Sequence, residues 1–311
     1  MFVIAYGAAY FGLAIFVVAV IARVLMWSRL PMHVRWELYP VAHEGERARH
    51  GGSYMEESEW WTKPRHVSKV AEAKAMFSEI VFLAAVKEHN PKLWTRTFPF
   101  HFGLYLVITC TALMVVGGAL TALAPDTVSG PLGEILGNAV MIFGSAGAVT
   151  VIIGALGLLQ RRLSDPGLRD YTAPADLFNL AFFVVAFGCA IVTAALVDPD
   201  FAITRGFVAN LVTGRLDTFG AAGLEAMLPP LTFVMLSLLL AYIPLTHMSH
   251  FVGKYFAYHA IRWNDTPNLR GGPEEKKIQA VLSQPITWAA PHIKGDGKKT
   301  WVDAATEEQK K

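Results

Sequence analysis

Three of the ten histidines, His101, His247 and His250, lie inside stretches that contain no Asp, Glu, Lys or Arg. An imidazole in apolar surroundings is costly, and the chemistry that keeps one there is metal or cofactor ligation or proton relay. The competing reading for a single ring is a neutral imidazole bonded to a neighbouring helix carbonyl. Matching depth sets these three apart. His101 follows Pro99, which suits the first turn of a helix running in one direction. His250 stands 24 residues after Ala226, about 36 Å along a helix running the other way. Two antiparallel helices would then offer imidazoles at one level, as an iron porphyrin held by two axial nitrogens in an apolar slot requires. Phe98, Phe100, Phe102 and Phe251 would supply flat apolar walls. Pro244 interrupts the helical hydrogen-bond ladder just before His247 and permits a kink that could aim the ligands. His247 and His250 are three apart, so one helix face can present either, with His250 preferred, then His247, then His259 on the far face. Zinc is a poor rival, because no thiolate or carboxylate accompanies these histidines.

The elements that must carry them follow from the distribution of charge. Of 311 residues, 53% are hydrophobic and 17% charged, with a mean hydropathy of +0.38. An ordinary soluble domain carries about a quarter charged residues. Two cysteines exclude a disulfide framework and any four-thiolate cluster, and no Cys-x-x-Cys-His sequence is present to attach a c-type haem. Charge is absent from Met1 to Ala22, Thr97 to Pro125, Ile135 to Gln160, Leu177 to Val197 and Ala226 to Gly253. Each run is long enough to cross a hydrocarbon core of about 30 Å. The chain is therefore expected to be an all-α membrane protein with five transmembrane helices over about 2–25, 98–123, 135–160, 177–197 and 226–253.

Of the 27 Lys and Arg, all but Arg205 and Arg215 fall on one side of this arrangement. The positive-inside rule puts the 28–97 loop, the third connection and the C-terminal tail in the cytoplasm, with the N-terminus outside. The first span has no basic residue before its apolar run and is expected to stay uncleaved. All eight Trp residues share the cytoplasmic side. A membrane-interface belt should dress both faces, so this asymmetry points to a docking surface for another subunit. Within the loop, His66 to Glu88 carries Val67, Val70, Phe77, Ile80, Val81 and Ala84 at helical spacing and is expected to form an amphipathic interfacial helix, before the chain turns in at Pro91. Residues 31–64 show no period. The first-loop histidines 33, 43, 50 and 66 read as solvated or partner-bonded surface groups. Residues 265–311 form a polar cytoplasmic tail, expected to bind a partner or to be loosely ordered. No internal repeat supports an inverted-repeat transporter.

The run Phe98-Pro99-Phe100-His101-Phe102-Gly103-Leu104 resembles the start of the second helix in the respiratory nitrate reductase gamma subunit family of five-helix membrane cytochromes b, and Thr246-His247-Met248-Ser249-His250-Phe251 resembles the end of their fifth. With Arg35-Trp36-Glu37-Leu38-Tyr39-Pro40, Gly51-Gly52-Ser53-Tyr54-Met55-Glu56-Glu57 and Lys254-Tyr255-Phe256-Ala257-Tyr258-His259, the likeness is strongest to the cytochrome b subunits of sulfate-reducer transmembrane redox complexes. It covers about residues 1–264 as one membrane domain. The resemblance implies that His101 and His250 hold haem b iron near the cytoplasm. It also implies a heterodisulfide-reductase-like iron-sulfur subunit on that face, other membrane subunits, and a periplasmic multihaem cytochrome c. The family often binds an outer haem through a second pair of histidines. Here the matching stretches, around Cys110 and Thr111 and over Ala226 to Leu238, contain none, so a second haem would have to use His247, His259 or His89.

The expected function is that of a haem b subunit in a bacterial or archaeal cytoplasmic membrane, passing electrons between menaquinone or ubiquinone and the iron-sulfur partner, and completing no reaction alone. A quinone headgroup would dock among Lys254, Tyr255 and Tyr258, which read equally well as lipid-facing interfacial anchors. No nucleic-acid partner is expected. Two other classes stand beside this one: a proton channel or transporter using His101, His247 and His250, which would need intramembrane carboxylates that the spans lack, and a colourless membrane anchor.

Overall fold

The computed structural model describes residues 1–30, 41–45, 52–65, 67–219, 222–290, 293 and 295–307. In chain order its helices are α1 (Phe2–Ser28), α2 (Lys69–Val81), α3 (Ala84–His89), α4 (Pro91–Leu123), α5 (Pro125–Val128), α6 (Pro131–Ser164), α7 (Pro166–Arg169), α8 (Pro174–Leu196), α9 (Ala202–Thr213), α10 (Leu224–Tyr242), α11 (His250–Phe256), α12 (Pro273–Leu282) and α13 (Trp301–Thr306). Among the described residues there is no strand, only two isolated bridges, Pro285 with Thr300 and Ala290 with Ile293. Helices α1, α4, α6, α8 and α10 are long and apolar enough to cross a membrane. The protein is an all-α, multi-pass membrane bundle.

The chain forms two compact units, one of Met1–Ala19 with Phe77–Thr246, the other of Val20–Met76 with His247–Lys311. In the first, α4 packs on α6 and α9, α6 on α8, and α8 on α10. These contacts depend on glycine, because apolar side chains gain nothing by leaving lipid for one another and close backbone approach supplies the dispersion energy instead. A Cβ on Gly103 would stand 2.6 Å from the Val151 nitrogen, and one on Gly154 would stand 2.3 Å from the Phe100 nitrogen. Gly12 of α1 meets the Ser237 carbonyl of α10 in the same way. Phe2 and Tyr6 complete a core with Phe207 and Phe233, where the Tyr6 and Phe207 rings stack at 4.5 Å. Polar groups within the bundle are paired, as a medium without water demands. Thr193 and Thr232 share a hydrogen bond of 2.7 Å, and the Tyr242 hydroxyl donates to Asn179 Oδ1 at 2.8 Å.

Helix ends depart from the apolar pattern where backbone chemistry decides them. Helix α4 begins at Pro91, not at Phe98, because Asn90 Oδ1 accepts from the Leu93 amide at 3.0 Å and Pro91 suits the first turn. Pro99 is thus an interior proline. The single amphipathic helix expected over 66–88 is two helices, α2 and α3, separated where Leu83 adopts a left-handed φ of 51°. Val70, Phe77 and Ile80 on α2 stand exposed. The connection between the fourth and fifth spans holds α9, which the charge pattern does not reveal. The buried Asp198 carboxylate accepts from the amides of Ile203 and Thr204 at 2.9 Å each and satisfies its first turn.

The largest departure is in the fifth span, where 226–253 is not one helix. Helix α10 ends at Tyr242, 3-10 turns follow over Ile243–Leu245 and His247–Ser249, and the chain restarts as α11. Pro244 has no N–H for the helical ladder, and Thr246 is extended, with φ −112° and ψ −177°. Beyond α11 a π-helical turn covers Ala257–Arg262. The tail after residue 264 is ordered over α12 and α13, with the Trp288 and Trp301 rings 6.1 Å apart.

Gly103→Val should prevent α4 from reaching α6, costing about 1–3 kcal/mol through overpacking. In detergent the unfolding midpoint should fall, while Gly117→Ala, where an added Cβ meets nothing within 4 Å, should leave it unchanged.

Candidate functional site

His101 lies on α4 one turn after Thr97. Its Nδ1 donates to the Thr97 carbonyl oxygen at 2.8 Å, with Thr97 Oγ1 at 3.3 Å from the same nitrogen. A carbonyl only accepts, so in the neutral ring the proton is on Nδ1 and the lone pair on Nε2. Pro99, inside this helix, lacks the amide that would bond the Thr95 carbonyl. Phe100 packs inward, its ring edge-on to Phe183 at 4.9 Å, and Gly154 fixes its backbone. Phe98 and Phe102 form a different face, stacked in a ladder with Trp94 at 4.6 and 5.6 Å. Of the walls expected around His101, Phe100 is therefore separate from the Phe98 and Phe102 pair.

His247 and His250 belong to the second unit and His101 to the first. Both are exposed, and they come after the break at Pro244 rather than inside a continuous span. His250 opens α11, and its Nδ1 donates to the His247 carbonyl oxygen at 3.2 Å. His259 lies in the π-helical turn and repeats the arrangement, its Nδ1 donating to the Tyr255 carbonyl oxygen at 3.0 Å. Its ring stacks on Tyr255 at 4.2 Å and meets Trp263 edge-on at 5.3 Å. His101, His250 and His259 thus share one electronic state, a carbonyl-bonded Nδ1–H that leaves Nε2 as the Lewis base. This is how metal-ligating histidines are oriented. No group of three or more His, Cys, Asp or Glu stands ready for a metal ion among the described residues, whereas a bis-histidine iron site needs only two.

The three residues suggested for quinone separate by role. Tyr258 is buried in a small core with Val41 and Trp263, its ring flanked by Arg262 at 4.6 Å and Lys254 at 5.8 Å. Tyr255 is exposed and stacks on His259.

The feature that the chain's spacing concealed is a buried charged cluster in the second unit. His43, far from being a surface group, is 3% exposed, and its Nε2 lies 2.7 Å from Asp265 Oδ2. Asp265 also accepts from the Tyr54 hydroxyl, and Arg65 Nη1 holds its other oxygen at 2.7 Å. On the far side of the ring Nδ1 lies 3.3 Å from Glu72 Oε1, within ion-pair range but outside hydrogen-bonding geometry. Glu72 is held by Lys69 at 2.9 Å. Glu44 gathers the Ser53 hydroxyl at 2.8 Å and the Tyr54 amide at 3.2 Å. His43 and Asp265 are separated by 222 positions, so no local motif could bring them together on paper. His33, His50 and His66 lie outside the described residues. His89 ends α3.

Compared with protein-family models, curated proteins and solved structures, the chain matches none. Its site therefore rests on its own geometry.

His43→Ala strands two buried carboxylates. Breaking a buried pair costs about 3–5 kcal/mol, and Arg65 and Lys69 still compensate part of that charge, so the lower end is expected. Trypsin should then cut after Arg65 at least tenfold faster than in the native protein, with cleavage read by mass spectrometry.

Proposed function

We propose that the chain is the haem b subunit of a membrane redox complex, carrying electrons between the quinone pool and an iron-sulfur partner on the cytoplasmic face. The observation that carries this reading is the shared tautomer. His101 and His250 each commit Nδ1–H to a backbone carbonyl, so that in the neutral ring Nε2 is the unprotonated nitrogen, the form in which an imidazole ligates iron. The residues fit the group chemically: two neutral imidazole donors, aromatic side chains beside His101, and no carboxylate in the spans to compete for the metal. Haem b held there would supply a one-electron carrier whose potential depends on burial and on hydrogen bonds to the ligating rings. His101 and His250 would hold the iron; the Thr97 and His247 carbonyls, accepting from each Nδ1–H, would fix ring orientation and raise ligand basicity. Gly103 and Gly154 bring α4 and α6 together around the turn that carries His101. No second pair of histidines lies along α4 and α10, which supports one haem per chain.

The orientation rests on the basic residues, of which only Arg205 and Arg215 lie on the side assigned to the outside. The membrane is the cytoplasmic membrane of a bacterium or archaeon, with the N-terminus outside and the C-terminus in the cytoplasm. The tryptophan-rich cytoplasmic side suits a docked iron-sulfur subunit, and multihaem cytochrome c reaches the complex through other membrane subunits.

Purified protein should give a reduced-minus-oxidised b-type spectrum, with one haem per chain by pyridine haemochrome. His101→Ala and His250→Ala should each abolish it, and a normal spectrum in either variant would remove that residue from the ligand pair. A C-terminal green fluorescent protein fusion should fluoresce, since that reporter folds in the cytoplasm, and an alkaline phosphatase fusion at the same place should be inactive. The reverse pattern would invert the topology.

A further inference from the structure

The seam between α4 and α6 ends in a notch at the membrane boundary. Arg96 meets Gly157, Phe100 meets Gly154 and Gly103 meets Val151, so the two helices run antiparallel with these residues along their shared line. A Cβ on Gly157 would stand 3.4 Å from Arg96 Cγ and 3.9 Å from its Cδ, so the arginine stem lies across the place a side chain would fill. Four features define what the notch would take. First, Arg96 is the last charged residue before the uncharged run of α4, and Arg161 is the first after that of α6, which puts both at the level of lipid phosphates. Second, neither guanidinium is neutralised. Arg96 Nη1 donates to the Lys92 carbonyl oxygen of its own helix at 3.1 Å, and no carboxylate among the described residues is in ion-pair range of Arg96. Arg161, one turn after Gly157 on α6, has only Asp165, whose Oδ2 is 3.9 Å from its Nε, too far for a hydrogen bond. Third, the neighbouring Arg162 is already paired with Asp176 at 3.2 Å, so the guanidinium donors left over belong to Arg96 and Arg161. Fourth, Val149, Ile153 and Leu156 are exposed and, with Gln160, fall at i, i+4, i+7 and i+11 on one face of α6. This apolar stripe runs from the level of the notch into the span.

We infer that this notch binds the phosphodiester of an anionic phospholipid from the leaflet that faces the basic loops, with an acyl chain along the α6 stripe. A guanidinium offers two parallel N–H donors to two phosphate oxygens, and like charges on neighbouring helices favour an anion between them. Basic pockets between spans take lipid headgroups of this charge. A free phosphate would satisfy the arginines but leave the apolar stripe unused, and a zwitterionic lipid brings its own ammonium group to the same place. A lipid held by one arginine from each helix ties α4 to α6, so the bundle is firmer with it than without. The site needs neither haem nor an electron partner.

The test is the unfolding midpoint of the full-length, delipidated protein in detergent, titrated with dioleoylphosphatidylglycerol, dioleoylphosphatidylcholine or inorganic phosphate. Phosphatidylglycerol alone should raise the midpoint. Arg96→Gln and Arg161→Gln should each increase the concentration for half-maximal effect at least tenfold, more than the roughly fivefold that the charge of one surface cation contributes. Arg169→Gln, at the exposed end of α7, should increase it by no more than that smaller factor. If Arg96→Gln does not fold, Arg161→Gln decides alone. Equal stabilisation by phosphatidylcholine would overturn recognition of charge, and equal stabilisation by inorganic phosphate would leave a free-anion site in place of a lipid site. Equal losses in Arg161→Gln and Arg169→Gln would reduce the notch to general surface charge and equally overturn the proposal.

Discussion

In hydrocarbon a backbone N–H or C=O can bond only to the protein, and nearly every feature of the first unit follows from that constraint. The spans are helices because a helix closes its own hydrogen bonds. Their ends are where unbonded groups accumulate, and there side chains step in: Asn90 for α4, Asp198 for α9. The histidines obey the same accounting in reverse. Each ring N–H needs an acceptor, and the carbonyl of the preceding turn is the nearest one, so His101, His250 and His259 all settle with Nδ1 on backbone. Local geometry alone therefore selects this tautomer.

The second unit solves a different problem with different means. Its residues are poor in long apolar runs, and it is organised around ionised groups taken out of water. Such an arrangement adds little net stability, since desolvation offsets most of the Coulomb attraction. It does specify partners strongly. Asp265 is reached by His43, Tyr54 and Arg65, so the first-loop segments at 41–45 and 52–65 have one place to go against the chain that follows α11. Burial of Val41, Tyr258 and Trp263 supplies the favourable term that the ion cluster does not.

Charge spacing made the membrane bundle legible because a span is a local property: about twenty residues without a charge are enough, whatever they touch. The ends of the spans were less legible. Pro99 suits a first turn, yet Asn90 and Pro91 cap the helix earlier, and an interior proline is tolerated where neighbouring groups satisfy the freed carbonyl. Pro244 carried the correct warning, but an apolar run does not say whether a proline bends a helix or ends it. His43 was illegible for another reason. Its partners at positions 72 and 265 are far along the chain, and a histidine among glutamates and arginines looks like any solvated loop until the fold places it inside.

The break at Pro244 also separates two kinds of ionisable chemistry. The uncharged run that holds His101 contains no carboxylate. Proton exchange needs the opposite environment, with carboxylates, cations and water within reach. By ending α10 at Tyr242 and restarting as α11 and a π-helical turn, the chain carries His259 into a segment beside Asp265, Arg65 and Glu72. Pro244 is thus the point at which the chain passes from uncharged runs into a segment whose neighbours are ionised.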